Sequence, residues 1–292
     1  MTSLVVLLGL AVAFCFGTSD FLSKLLAGEV GSYRTTVYTL ALSGLFVAVP
    51  SLVFGLPSAV TLPSLVVLAG AAVSTYLAFL LMYRGYQRGN LSVVSPTVNS
   101  FPVFSVLFAI LFLGVRISDA VLLALAGVIA GIILVSTDPH SLRGSAGGAL
   151  TPGVPEAVVA ALFFAVGFTL LGYADTTVGY FLPVVCARLG AASIGFMVGP
   201  PLKQDVTPFG GNAMRRVLTM GMLEAGGLFC FNLALRSANI GALPILTTLA
   251  GMGVVFTVGF AAVFLGDRAR PSHAVGIALL VAGVATLLYL TA

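Results

Sequence analysis

The chain has 292 residues, of which 59% are hydrophobic and only 8% are charged. A soluble domain carries about 25% charged residues; no soluble fold of this length could cover so apolar a chain, so the bilayer must be the solvent for most of it. The formal net charge of +4 comes without a basic stripe or an aromatic platform, which speaks against nucleic acid and fits loop charges at one membrane face.

Ten apolar segments follow one another, each close to the ~20 residues that span ~30 Å of hydrocarbon. They run at 3–26, 30–54, 62–83, 91–113, 118–136, 154–174, 178–199, 215–236, 241–265 and 271–291. No basic region precedes the first, and it is too long for the core of a signal peptide, so it is expected to remain as a membrane helix. Residues 137–153 form the longest interruption, rich in Ser, Gly and Pro, with Asp138, His140 and Arg143. They are the expected linker between residues 1–136 and residues 154–292, two halves of five helices each. Five is odd, so the second half would sit upside down relative to the first. The expected fold is an all-α membrane protein with ten transmembrane helices in two inverted five-helix repeats.

Local sequence repeats agree with this division. Leu113-Gly114 is followed by Gly131 and Leu265-Gly266 by Gly283, each second glycine lying 17 positions after the first. Asn90 follows Arg88, and Asn239 follows Arg236, ahead of the two copies. Two similar apolar halves are the organisation of many secondary transporters. Gly127 and Gly131, and Gly276 and Gly283, have spacings suited to close helix packing. Pro96 and Pro102 interrupt the fourth segment, and kinks of this kind often line a cavity. The ninth segment has Pro244 only near its start.

Few side chains could carry chemistry. Glu224 lies eight residues beyond Arg216, about 12 Å along a helix, near the bilayer midplane. Intramembrane carboxylates are costly, and Glu224 is expected as a proton-coupling or substrate site or as half of a buried ion pair. Arg188, about 13 Å along the preceding antiparallel helix, is the expected partner; alternatively its guanidinium takes a substrate carboxylate. Asp20 and Lys24 stand at i and i+4, as an anchoring pair at the interface or as cavity residues. Arg84 and Arg88 end the third segment and would snorkel to headgroups. Asn99 and Ser100, beside Pro102, are candidates for a ligand-facing stretch. Phe16, Tyr83, Tyr86, Phe168 and Asn232 could add aromatic and amide contacts. Cys15, Cys186 and Cys230 lie in apolar segments without paired spacing, so neither a disulfide nor a metal is expected. His140 and His273 flank loops or helix ends, and no phosphate loop or nucleophile-base set is present. Neither an enzyme activity nor a cofactor is expected.

Phe101-Pro102-Val103 through Leu113-Gly114 with Gly131, and Leu265-Gly266-Asp267-Arg268 with Gly276 and Gly283, form an ordered set. With Phe16-Gly17, Lys24, Arg34, and Pro183 followed by Arg188, this set resembles the drug/metabolite transporter superfamily, EamA-like branch. Val115 and Val254 depart from its acid and proline positions, and Phe16 stands at its usual tryptophan. The resemblance implies ten helices and a central cavity lined mainly by the first, third, fourth, sixth, eighth and ninth. It also implies export or exchange of small metabolites, with amino acids as a first substrate class. The expected partners are a small-molecule substrate and the lipid bilayer of a plasma membrane, crossed many times; a lipid flippase or lipid-handling protein is the alternative. Monomer and homodimer stay equally open. The excess of Arg143, Lys203, Arg268 and Arg270 in loops after odd-numbered segments puts the termini outside, whereas the resemblance implies cytoplasmic termini. Both agree on an even helix count.

Overall fold

A computed structural model describes residues 3–54, 60–101, 151–179, 181–238 and 249–266, together with Leu246 and scattered positions among 103–134 and 274–286. The first half contributes α1 (Ser3–Val30), α2 (Ser32–Phe54), α3 (Leu62–Arg88) and α4 (Leu91–Val98). The second contributes α5 (Val154–Val178), α6 (Leu182–Val198), α7 (Gly211–Ala238) and α8 (Gly253–Phe260), the last continuing into a π turn at Ala261–Leu265. Among the described residues, five stretches are long and apolar enough to cross a membrane: Leu7–Val30, Ser32–Val53, Leu62–Arg88, Val154–Asp175 and Gly211–Ser237.

Local chemistry explains most boundaries. The Thr61 hydroxyl accepts from the Ser64 backbone N–H at the start of α3, and Pro63 occupies its first turn, where no intrahelical donor is lost. Gly153, at φ +85°, turns the chain into α5. Within α4, Pro96 cannot donate a helical hydrogen bond, and the helix stops at Val98. Asn99 and Ser100 form a turn, the Val103 N–H bonding back to the Ser100 carbonyl at 2.9 Å. The fourth segment is therefore broken, where the sequence reading drew it through residue 113. Several expected segments also extend further: the first to Val30, the third to Arg88 and the sixth to Val178. Pro102, Leu113-Gly114, Asn239, Pro244, the Asp267–Arg268 turn and most of the linker lie outside the described residues.

Helix ends show how the chain runs. Lys24, near the end of α1, donates to the carbonyls of Tyr86 and Gly89 at the end of α3. Gly89 lies against Pro152 at the start of α5, and the Ser32 N–H at the start of α2 reaches the Gln87 side chain. These ends define one face, here called the linker face. At the opposite face Val5 clusters with Leu235 near the end of α7 and with Leu246. α1 ends at the linker face and α5 starts there, so the two helices run in opposite directions.

Polarity is inverted relative to a soluble protein. Leu52, Val53, Leu62 and Met197 are 73%, 79%, 75% and 76% exposed, whereas Ser19, Thr35, Thr39, Ser43, Ser95 and Thr97 are fully buried. In lipid, apolar side chains lose nothing by facing outward, and small hydroxyl residues let helices approach, those of Thr35, Ser43 and Thr97 bonding to carbonyls of the preceding turn. The described structure is all-helical and multi-pass. Its largest helix contacts, α3 with α5, α1 with α7 and α2 with α6, all cross between the two halves of the sequence. The halves interleave, and the core lies between them.

One close backbone approach is at α1 and α8. A Cβ on Gly17 would stand 2.3 Å from the Gly253 carbonyl oxygen. The Thr257 hydroxyl donates to the Gly17 carbonyl at 3.1 Å, and Phe14 meets Phe256 edge-on at 5.4 Å.

Candidate functional site

A cavity lies where the two halves meet. Its polar lining comes from Asp20 on α1, Asn99 after α4, Arg188 on α6 and Glu224 on α7. Its apolar lining is largely aromatic, with Phe16, Phe79, Phe101, Phe164 and Phe168.

Arg188 Nη2 donates to Glu224 Oε2 at 2.9 Å, with the two side chains only 7% and 4% exposed. The guanidinium carbon lies 4.4 Å from the centroid of the Phe79 ring. A charged pair taken out of water loses hydration, and close pairing plus an aromatic face offsets part of that loss. Arg188 Nη1 is buried without a hydrogen-bond partner. The pair thus retains one strong donor that it does not itself satisfy.

Asp20 is buried and accepts a 2.9 Å hydrogen bond from the Tyr86 hydroxyl. It takes part in no ion pair among the described residues. Asn99 Nδ2 donates to the Ser95 carbonyl at 3.0 Å, holding the amide at the break that follows α4. Phe101 and Phe168 stack at 5.1 Å and 13°, and Phe164 packs edge-on against Phe79 at 5.2 Å. The result is an aromatic box with a cation at one wall and carboxylates at two.

The other candidates fall elsewhere. Ser100 lines a neighbouring pocket with Gly251 and Val254, its hydroxyl bonded to the Thr97 carbonyl at 2.6 Å. Tyr83 is fully buried against Phe79, with the ring centroids 5.6 Å apart, and does not line the cavity. Asn232 lines a small separate cavity that shares Phe168 with the central one. Lys24 does not pair with Asp20. Its ammonium takes the Tyr86 and Gly89 carbonyls at 2.5 and 2.7 Å, because the last carbonyls of α3 lack intrahelical donors. Asp20 instead turns inward to Tyr86. Arg88 pairs with Glu156 at 2.5 Å at the linker face, and Arg84 is exposed.

Asp175 is absent from the sequence candidates. The sixth segment, drawn to residue 174, leaves it in a loop, but α5 continues to Val178 and buries it to 5% exposure. The available signal was an acid at the end of an apolar run.

A cysteine at position 99, in a chain freed of Cys15, Cys186 and Cys230, is expected to react with a water-soluble thiol reagent. One at position 83 is expected to stay protected. Equal protection at both positions in every condition would count against an accessible central cavity.

Residues 3–137 match the EamA-like transporter family, in agreement with the drug/metabolite transporter resemblance of the motifs. A solved structure titled "Crystal structure of protein" superposes with a TM-score of 0.68 at 17% identity, covering 100% of this chain and 98% of its own. At that identity the likeness is one of fold. No curated protein matches the chain.

Proposed function

We propose that this EamA-like membrane protein, by family a transporter of small molecules, is a secondary transporter that moves a zwitterionic metabolite such as an amino acid across the plasma membrane by alternating access. The observation that carries the reading is the central cavity, with an unsatisfied Arg188 donor and the Asp20 carboxylate set in an aromatic lining. A substrate carboxylate suits the guanidinium, an ammonium suits Asp20, and an apolar side chain suits the rings. Charges on a lipid-handling path would face the bilayer at headgroup depth. Here Asp20, Arg188 and Glu224 face the bundle interior, and no observation favours lipid.

Packing supports the inverted repeat. Exchanging α1–α4 with α5–α8, in order, turns the α1–α7 contact into α5–α3, α2–α7 into α6–α3, and α1–α8 into α5–α4, while α2–α6 maps onto itself. All of these contacts are present. Together with the opposite directions of α1 and α5, they support two five-helix units related by an axis in the membrane plane, ten helices in all.

Ion pairs between the halves close the linker face. Glu29 pairs with Arg216, Arg34 with Asp205 at 3.0 Å, and Arg88 with Glu156. Hydrogen bonds from the Thr207 N–H and hydroxyl, then the Arg34 charge, hold the Asp205 carboxyl below its usual range. Opening at this face would separate these partners. Reversing Glu29, Glu156 and Asp205 to Arg is expected to raise labelling of a cysteine at position 99 from that face several-fold, with little change in stability, because each pair keeps at least one partner open to solvent and is screened by it. Unchanged labelling would argue against a closing role.

Uptake into sealed proteoliposomes, across a panel of labelled amino acids and their decarboxylated and deaminated analogues, tests the substrate class. Wild-type protein is expected to accept zwitterions. Asp20→Asn, nearly isosteric, should reduce their uptake about tenfold or more, a loss near 1.4 kcal/mol. Transport of other solutes with no amino-acid uptake would overturn the assignment.

A further inference from the structure

Away from the charged pair, α5, α6 and α7 enclose a second, smaller cavity. Asp175 and Asn232 line it, 5% and 1% exposed. The remaining lining is apolar: Phe168, Leu171 and Gly172 from α5, Val184 from α6, and Leu228 and Phe231 from α7. Asp175 Oδ1 and Asn232 Oδ1 are both buried without a hydrogen-bond partner. The orientation of the Asn232 amide is set by chemistry. Its Nδ2 donates to the Leu228 carbonyl at 2.9 Å, and only the amide nitrogen can make that bond.

Two acceptors therefore line one apolar pocket, and among the described residues nothing donates to either. Each unmet buried acceptor costs about 1–3 kcal/mol, and an ionised carboxylate costs more. A basic partner would relieve this, but Asp175 joins no ion pair among the described residues. The titratable groups on the helices around it are Glu156 and Tyr173 on its own helix, Cys186 and Arg188 on α6, and Arg215, Arg216, Glu224, Cys230 and Arg236 on α7. None of them lines the pocket, and Arg188 is already held by Glu224. The stretches of α3 that meet α5 near Gly167 and Leu170, around Gly70, Ser74 and Thr75, carry no charge, and α4 has no titratable residue. A hard metal ion takes about six oxygens, and the side chains here offer oxygen only from Asp175 and Asn232. One proton resolves both deficits, because it neutralises the carboxylate and turns one of its oxygens into a donor.

We propose that Asp175 and Asn232 form a proton-binding site in which the protonated Asp175 carboxyl donates to the Asn232 side-chain oxygen. The site is distinct from the central cavity. Phe168 lines both. The proposal rests on the membrane-spanning reading but not on the identity of the solute.

Infrared difference spectroscopy of the full-length protein in lipid, with and without ¹³C-labelled aspartate, tests it without substrate. At neutral pH the wild type is expected to show the carbonyl band of a protonated, hydrogen-bonded aspartic acid. Asp175→Asn should remove it. Asn232→Leu should keep it but move it to higher frequency, as the carboxyl loses its acceptor. If Asp175→Asn fails to fold, the Asn232→Leu shift carries the test alone. A band unchanged in both variants, or no such band in the wild type, would overturn the site, and amino-acid uptake would be untouched by that outcome.

Discussion

Glu224→Leu and Arg188→Met are each expected to destabilise the protein by roughly 3–5 kcal/mol, because either change leaves a buried charge without its partner. The 2.9 Å bond between groups 7% and 4% exposed places the pair in that regime rather than among exposed pairs. Arg188→Met with Glu224→Leu is expected to recover much of the loss, since both desolvation costs disappear with the charges. Unfolding of the purified protein by heat or denaturing detergent, measured on the three variants, reads the coupling. Additive losses in the double variant would mean that the residues act independently. The same double variant separates stability from transport. If Arg188 also takes the substrate carboxylate, the recovered protein folds but does not move zwitterions.

Gly17→Val is expected to abolish the native α1–α8 contact. Its Cβ would meet the Gly253 carbonyl oxygen at 2.3 Å and the Phe256 Cβ at 2.8 Å. A backbone oxygen cannot swing aside as a flexible side-chain end can, so the helices must separate. Separation also breaks the Thr257 bond to the Gly17 carbonyl. Overpacking costs about 1–3 kcal/mol, and the lost hydrogen bond about 1 kcal/mol more. Gly28→Ala on the same helix is the control, because a Cβ there meets nothing within 4 Å. Equal folded yields and melting temperatures for the two variants would refute this account of the crossing.

The residues that the sequence brought forward for depth and those it brought forward for direction fared differently. Distance along a helix is linear, at about 1.5 Å per residue, so counting from segment ends was enough to put Glu224 and Arg188 at similar depths. Direction around a helix axis is another matter. Lys24 stands at the i+4 spacing from Asp20, yet it goes to the end of α3 while Asp20 goes to Tyr86. Tyr83 and Asn232 carry the right chemistry and lie outside the central cavity. Phe79 and Phe164 line it without having been singled out, and Phe101 lines it though it entered only through the family motif.

Composition and segment length by themselves determined that this chain is helical and lives in a bilayer, because a spanning backbone must satisfy its hydrogen bonds within each segment. The ordered glycine and Leu-Gly motifs were enough for the family likeness that residues 3–137 show. Only the tertiary structure decided which faces meet, and so gathered Asp20, Asn99, Arg188 and Glu224 around one cavity and left Asp175 with Asn232 in another. The reason lies in the solvent. In water, a helix marks its buried face with an apolar stripe. In lipid, the outside is as apolar as the inside, so helices such as α5 carry no stripe to read, and the meeting faces are chosen by close packing and by the few polar groups that need partners.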